Sequence, residues 1–189
     1  ASFMACGYAM FTTKLGVCWA TAGPGAFNLI SGLAVALSDS YPMLAISGYA
    51  SLNWRGKGSL NETSGLNRTP NSQTIFEATT KKSWLLTDID DTMDVLEEAV
   101  NLAFEGRPGP VHIHVPENLT HHDVEVRNYR DLRINMMPVL PDPADVTAAA
   151  DLIAAAFAKG KKVVALIGFG AIRSGAGPQV RALIERYQI

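Results

Sequence analysis

Three short runs in this chain are mainly apolar, rich in β-formers, and closed by a glycine or a proline. They are residues 17–21 (VCWAT) ahead of Gly23-Pro24-Gly25, 42–47 (PMLAIS) ahead of Gly48, and 111–115 (VHIHV) ahead of Pro116. Runs of this length without clean polar alternation suit strands covered on both faces, the state of a parallel sheet. Between them lie segments with helical spacing. Residues 1–11 read as a helix already under way, and 28–37 as a helix apolar on nearly every side, hence buried. Asp90-Asp91 cap a third, with Val95, Leu96, Ala99, Val100 and Ala103 inward and Gly106 as its stop. Strands alternating with helices give an α/β chain with a mostly parallel sheet. Ligands of such sheets gather at the carboxyl ends of the strands, here the loops at 23–25, from Gly48 onward, and at 168–170.

Composition narrows the classes. With 189 residues, 48% of them apolar and 18% charged, the chain can bury a sizeable core, and disorder is excluded. A net charge of −2 argues against a nucleic-acid partner, and no apolar run reaches the ~20 residues of a membrane span. Two cysteines, Cys6 and Cys18, are too few for a disulfide scaffold, so a reducing, cytoplasmic setting is expected. At ~150 residues per domain the length suggests one domain and part of another. Residues 50–72 are rich in Gly, Asn, Ser and Thr and read as a long functional or mobile loop, with a helical or extended piece at 75–84. Composition turns polar and proline-punctuated after Glu117, so 121–142 read as a linker. Beyond it, 143–159 form an Ala-rich helix, 162–167 (KVVALI) a strand, 168–175 a glycine-rich loop, and 180–186 a last helix.

The loop Thr21-Ala22-Gly23-Pro24-Gly25-Ala26-Phe27-Asn28 lies between a strand end and a helix start, where glycines admit close approach and the helix offers unpaired N–H groups. Taken alone, it also fits an ordinary strand-to-helix turn. It belongs, however, to a longer pattern: Gly7-Tyr8-Ala9, Gly16-Val17-Cys18, Asn28, Gly32-Leu33, Asp39-Ser40-Tyr41-Pro42, Thr80-Lys81, and Gly106-Arg107-Pro108-Gly109-Pro110 running into 111–116. This pattern resembles the pyrimidine-binding (PYR) domain of thiamine-diphosphate enzymes of the acetolactate synthase and 2-oxoacid decarboxylase group. The resemblance continues into the start of that family's central domain at Gly168, Gly170, Arg173, Ser174 and Gly175.

The resemblance implies a three-layer, parallel-sheet PYR domain over residues 1–120, incomplete at its N-terminus, the linker at 121–142, and the start of a Rossmann-like central domain over 143–189. Gly23, Pro24, Gly25 and Asn28 would bind the cofactor, with Pro24 and Asn28 lining its aminopyrimidine. Leu60 and Asn61 would stand on the substrate side, with Asn61 in place of the family's usual Gln. Met10, Thr13 and Leu15 replace the family's common Arg, Gly and Pro, which reads as surface drift. The catalytic glutamate of the family would lie just ahead of Ala1, and no catalytic or metal-ligating residue is assigned within the chain. Thiamine diphosphate and Mg2+ are the implied cofactors, with Mg2+ held by a domain outside the chain. Gly168, Gly170, Arg173 and Ser174 form a candidate loop for FAD or ADP. The implied function is that of a fragment, inactive by itself, of an enzyme that makes or breaks a C–C bond next to a carbonyl. Its substrate would be a small 2-oxoacid, and the parent a homodimer or homotetramer without nucleic-acid or membrane partners. The alternatives are a non-catalytic binding or regulatory paralogue and a nucleotide-binding module using 168–175.

Other clusters carry less. His112 and His114 point to one strand face as two metal ligands can, yet no third ligand is recognisable and a packed pair is expected. His121-His122 read as solvated surface, and Cys6 and Cys18 as buried, inert thiols. Neither a Gly-x-Ser-x-Gly elbow nor a Walker loop is present.

Overall fold

The computed structural model describes residues 1–123 and 140–189, and the greater part of the expected linker at 121–142 lies outside them. The chain divides into two compact units, Ala1–Met137 and Pro138–Ile189.

In the first unit the three apolar runs become strands of one sheet: β1 (Gly16–Ala20), β2 (Met43–Tyr49) and β4 (Pro110–Pro116). A short β3 (Ser83–Leu85) completes it in the order β1-β2-β4-β3, every pair parallel. Alternation along the strands splits the side chains between two cores. Cys18, Met43 and Ala45 face α1 (Ser2–Thr12) and α3 (Ile30–Asp39), packing with Ala5, Ala9, Leu33 and Phe76. Leu44, Val111 and Ile113 face α5 (Thr92–Phe104), against Ala99 and Ala103. Helices on both faces of a parallel sheet make the expected three-layer α/β unit.

Three local expectations change. The segment at 28–37 is not buried all round: α3 starts at Ile30 and buries only Gly32, Leu33 and Ala36, leaving Val35 exposed. Its inner face meets α1 and the sheet, and no element of the described unit covers the outer one. Asp91 occupies the N-cap of α5 but accepts no capping hydrogen bond, because its backbone is already helical (φ −76°, ψ −9°) where a capping residue is normally extended. The 50–72 stretch is not structureless. It contains a 3₁₀ turn (Leu52–Trp54) and a tight antiparallel bridge between Ser64 and Asn71 that leads into α4 (Ser72–Glu77). α4 and β3 settle the 75–84 piece as a helix followed by a strand.

The second unit holds helices only among its described residues. α6 (Pro143–Ala158) is capped by Asp142, whose Oδ1 accepts from the Ala144 N–H at 2.8 Å, with Pro143 in the first turn. α7 (Phe169–Arg173) and α8 (Gly177–Tyr187) follow. The strand expected at 162–167 does not form. Residues 161–168 make no ladder, and Leu166 stands 99% exposed. An extended run becomes a strand by pairing, and nothing in this unit offers it a partner.

Candidate functional site

The sheet brings the ends of β1, β2 and β4 side by side, and a cleft of about 720 Å³ opens over them. Thr21 and Ala22 follow β1, Tyr49 closes β2, and Val115, Glu117 and Thr120 come from the end of β4 and the turn beyond it. The far wall is the segment 51–61, with Trp54, Lys57, Leu60 and Asn61. Two side chains, Asn118 and Glu62, hold that wall in place through hydrogen bonds. The Leu52 N–H donates to Asn118 Oδ1 at 2.8 Å, joining the turns after β2 and β4. Below it, the buried Glu62 carboxylate accepts from the N–H groups of Gly56 and, at 3.1 Å, Gly58, and from the Ser64 hydroxyl at 2.7 Å. These bonds, the Gly56 N–H first and then the Ser64 hydroxyl, hold the Glu62 carboxyl below its usual range. Its work is to fold the wall.

Two glycines let the chain close around this point. Gly23 has φ 62° and ψ −124°, and a Cβ there would stand 2.8 Å from the Asn61 Cβ. At Gly48 a Cβ would stand 3.0 Å from the Ala22 nitrogen, so the turn after β1 touches the end of β2 backbone to backbone. Gly23, from the candidate cofactor loop, and Asn61, from the candidate substrate segment, are thus in contact although 38 positions apart in the numbering. Leu60 and Asn61 line the cleft. None of the four candidate cofactor residues lines it: Gly23 is buried ahead of α2 (Pro24–Phe27), Pro24 and Gly25 lie on that helix and Asn28 closes it, with Pro24 and Asn28 exposed. α2 is a single turn headed by Pro24, which has no N–H, so the anion-binding helix start that the loop suggested is not built.

Beneath the cleft lies a polar network that sequence reading reduced to a packed pair. His112 and His114 are fully buried on the α3 side of β4. Ser47, paired with His114 in the ladder, sits between the two rings, its Oγ 2.9 Å from His112 Nε2 and 2.8 Å from His114 Nδ1. Ser83 Oγ meets His112 Nδ1 at 2.8 Å, and Ser72 Oγ meets His114 Nε2 at 3.1 Å. Phe76 stacks on His112 with centroids 3.6 Å apart, and Tyr49 tilts against His114 at 5.0 Å. Burial drives both imidazoles far below their usual 6.5. His112 falls to about 2, with His114 nearby adding to the push, and His114 to about 4, with the Gly48 backbone opposing. Both rings are neutral structural members. Ser47 and the His-x-His run gave the only signal in the sequence, and it needed the strand register to become legible.

Cys6 and Cys18 are buried free thiols pushed above their usual pKa by that burial, as their reading as inert groups anticipated. His121 is exposed, its Nε2 2.7 Å from Glu117 Oε1. Among the described residues no group of three or more His, Cys, Asp or Glu side chains can hold a metal, and no helix is long and apolar enough to cross a membrane. In the second unit the candidate nucleotide loop is not a loop. Gly168 is the N-cap of α7, Gly170 and Arg173 are inside it, and Ser174 closes it, its hydroxyl donating to the Ala171 carbonyl at 3.3 Å. The strand expected ahead of it is absent among the described residues, and the glycines that were read as a loop open a short helix instead.

The family described as thiamine pyrophosphate enzyme, N-terminal TPP binding domain, matches residues 1–68. Over its whole length the chain is 34% identical to the acetolactate synthase of Arthrospira platensis and covers 31% of it. It is 30% identical, also over its whole length, to a probable acetolactate synthase large subunit of Methanocaldococcus jannaschii, again covering 31%. Over 91% of the chain it is 35% identical to acetolactate synthase 3, chloroplastic, of Brassica napus, of which it covers 25%. The chain thus spans about a quarter to a third of the length of these relatives. Colinear motifs, the parallel sheet that carries them and these alignments agree: the chain belongs to the thiamine-diphosphate-dependent enzyme family.

Proposed function

We propose that this chain forms the pyrimidine side of a thiamine-diphosphate site in an enzyme that makes or breaks a C–C bond next to the carbonyl of a small 2-oxoacid. The observation that carries the reading is the contact between Gly23 and Asn61 at the carboxyl ends of the strands. It joins the segment assigned to the cofactor with the one assigned to the substrate at the edge of a single cleft. The residues present suit a flat, polar ring: Pro24 offers a rigid apolar edge, and the exposed Asn28 amide can both donate and accept. When bound, thiamine diphosphate supplies the electron sink for the C–C chemistry. Asn61 and Leu60 then orient the substrate carbonyl from the cleft side, while the apolar part of the wall limits water.

In this reading residues 1–120 are the pyrimidine-binding domain and 143–189 begin the central domain. The described residues offer no metal cluster, and Glu62 is occupied within its own loop, so we assign Mg2+ and the catalytic carboxylate to segments outside this chain. Exposed Phe3, Met4 and Phe11 on α1 and Val35 on α3 favour a homodimer or larger homo-oligomer of the whole protein. The two free buried thiols favour a reducing compartment, the cytoplasm in our reading, although plant relatives carry "chloroplastic" in their names. The test is turnover of pyruvate by the whole protein with Mg2+, with and without thiamine diphosphate, beside calorimetric titration of the cofactor into wild type and Asn28→Ala. The reading expects cofactor-dependent loss of pyruvate and weaker cofactor binding in the variant. Pyruvate left untouched, with no heat of cofactor binding, refutes it.

A further inference from the structure

Two charged side chains of opposite sign line the cleft, Lys57 and Glu117, and they differ in how far their hydrogen-bonding capacity is already used. Of the two, Glu117 is committed, its Oε1 2.7 Å from His121 Nε2. Glu62, below the wall, is spent on two backbone N–H groups and the Ser64 hydroxyl. Lys57 is different. Its Nζ donates to the Asn53 carbonyl at 3.0 Å and lies 5.6 Å from the centre of the Trp54 ring, and among the described residues it has no carboxylate partner. An ammonium carries three N–H donors, so two remain for a ligand. The Trp54 face and the Asn53 carbonyl hold the side chain at the mouth of the cleft, which lowers the entropy a ligand must spend to order it.

We propose that Lys57 receives the carboxylate of the ligand in this cleft and so sets its preference for a 2-oxoacid over a neutral ketone of the same shape. The inference rests on the 2-oxoacid reading above but concerns binding, not turnover. Pyruvate and pyruvamide share the keto group and the size and differ in charge. A charge-assisted hydrogen bond at so exposed a site is worth about a ten-fold preference for the acid.

The experiment titrates both compounds into the full chain and follows amide and indole signals by 1H–15N NMR. In wild type, pyruvate shifts the signals of Trp54, Lys57 and Asn61 and binds about ten-fold tighter than pyruvamide. In Lys57→Met the ratio falls to about one, while Lys57→Arg keeps most of it. Lys57 is exposed, so both variants are expected to keep the wild-type spectrum elsewhere, which the same data check. An unchanged ratio in Lys57→Met, or pyruvate that leaves the cleft signals of wild type unmoved, overturns the proposal. A ratio that collapses in Lys57→Met while the whole protein shows no thiamine-dependent turnover keeps Lys57 and removes the enzymatic reading. Turnover with an unchanged ratio does the reverse.

Discussion

Lowering the pH from 7 to 5 leaves the two buried histidines of the folded first unit neutral, while the unfolded chain protonates both. All four of their ring nitrogens meet serine hydroxyls, at 2.8, 2.9, 2.8 and 3.1 Å, and both side chains are fully buried. Besides each other, the groups in hydrogen-bond or ring contact with them are Ser47, Ser72, Ser83, Phe76, Tyr49 and the Gly48 backbone, and none of these is a carboxylate that could stabilise an imidazolium. Protonation also turns a ring acceptor into a donor and forces a buried serine hydroxyl to reverse. The folded pKa values, about 2 for His112 and about 4 for His114, lie below the ordinary 6.5. The unfolded chain therefore takes up protons first, and stability is complete above pH ~6.5 and falls as the pH drops below it.

At pH 5 the unfolded chain gains ~2 kcal/mol from each histidine, since 1.5 pH units below 6.5 are worth ~1.36 kcal/mol each, and the folded chain gains almost nothing. The pair together removes about 4 kcal/mol, a large part of the ~5–15 kcal/mol that holds a typical domain. At ~4 °C per kcal/mol the midpoint should fall by roughly 15 °C. The assay is thermal unfolding by circular dichroism at pH 7, 6 and 5 and constant ionic strength. The window excludes the carboxylates whose pKa values folding lowers, Glu62 and Glu98, because their contributions are lost only below their ordinary 4.5. Histidine Cε1–H NMR supplies the second reading, with two resonances that do not titrate above pH 5. A midpoint that moves by less than about 3 °C, or buried resonances that titrate near 6.5, refutes the reasoning.

Two backbone positions give further outcomes. Thr13 closes α1 in a left-handed conformation, φ 58° and ψ 11°, which costs a β-branched residue ~1–2 kcal/mol. Thr13→Gly should raise stability by about 0.5–1 kcal/mol, measured by urea unfolding, because the freedom glycine adds to the unfolded chain returns part of the gain; a lower urea midpoint would count against the assigned conformation. Gly23→Ala should cost about 2–3 kcal/mol from its φ and ψ alone. It also drives a Cβ toward Asn61, so amide signals at 60–62 should shift and thiamine diphosphate should bind more weakly; an unshifted Asn61 would show that the close approach is not a constraint.

What the sequence disclosed, and what it withheld, follows the range of the interactions involved. β1, β2, β4 and α5 were legible because their apolar patterns are local and glycines or prolines close or follow them, and α1 by its apolar pattern alone. The 162–167 run carries the same local pattern and failed, because a parallel strand is completed by neighbours distant in the chain. Thr13 was legible only in part: read as surface drift, it is instead a left-handed helix end, the conformation that makes glycine the better residue there. Lys81 and Arg107 entered the reading only as motif letters, and their bonds give both a structural role. Lys81 Nζ donates to the carbonyls of Leu102 and Glu105 at 2.6 Å each and of Arg107 at 3.0 Å, closing the end of α5. Arg107 Nε in turn donates to Ser40 Oγ at the end of α3. These side chains fix helix ends against the sheet, and that is how a motif with no chemistry of its own governs a site. By holding α3 and α5 against β2 and β4, they set the strand ends from which Tyr49, Val115 and the wall of the cleft extend. The cleft residues Tyr49, Trp54 and Lys57 were missed because a single sequence has no pattern for side chains that meet only where strands end. Position after a strand was the one available signal, and it pointed to the right loop without choosing the residue.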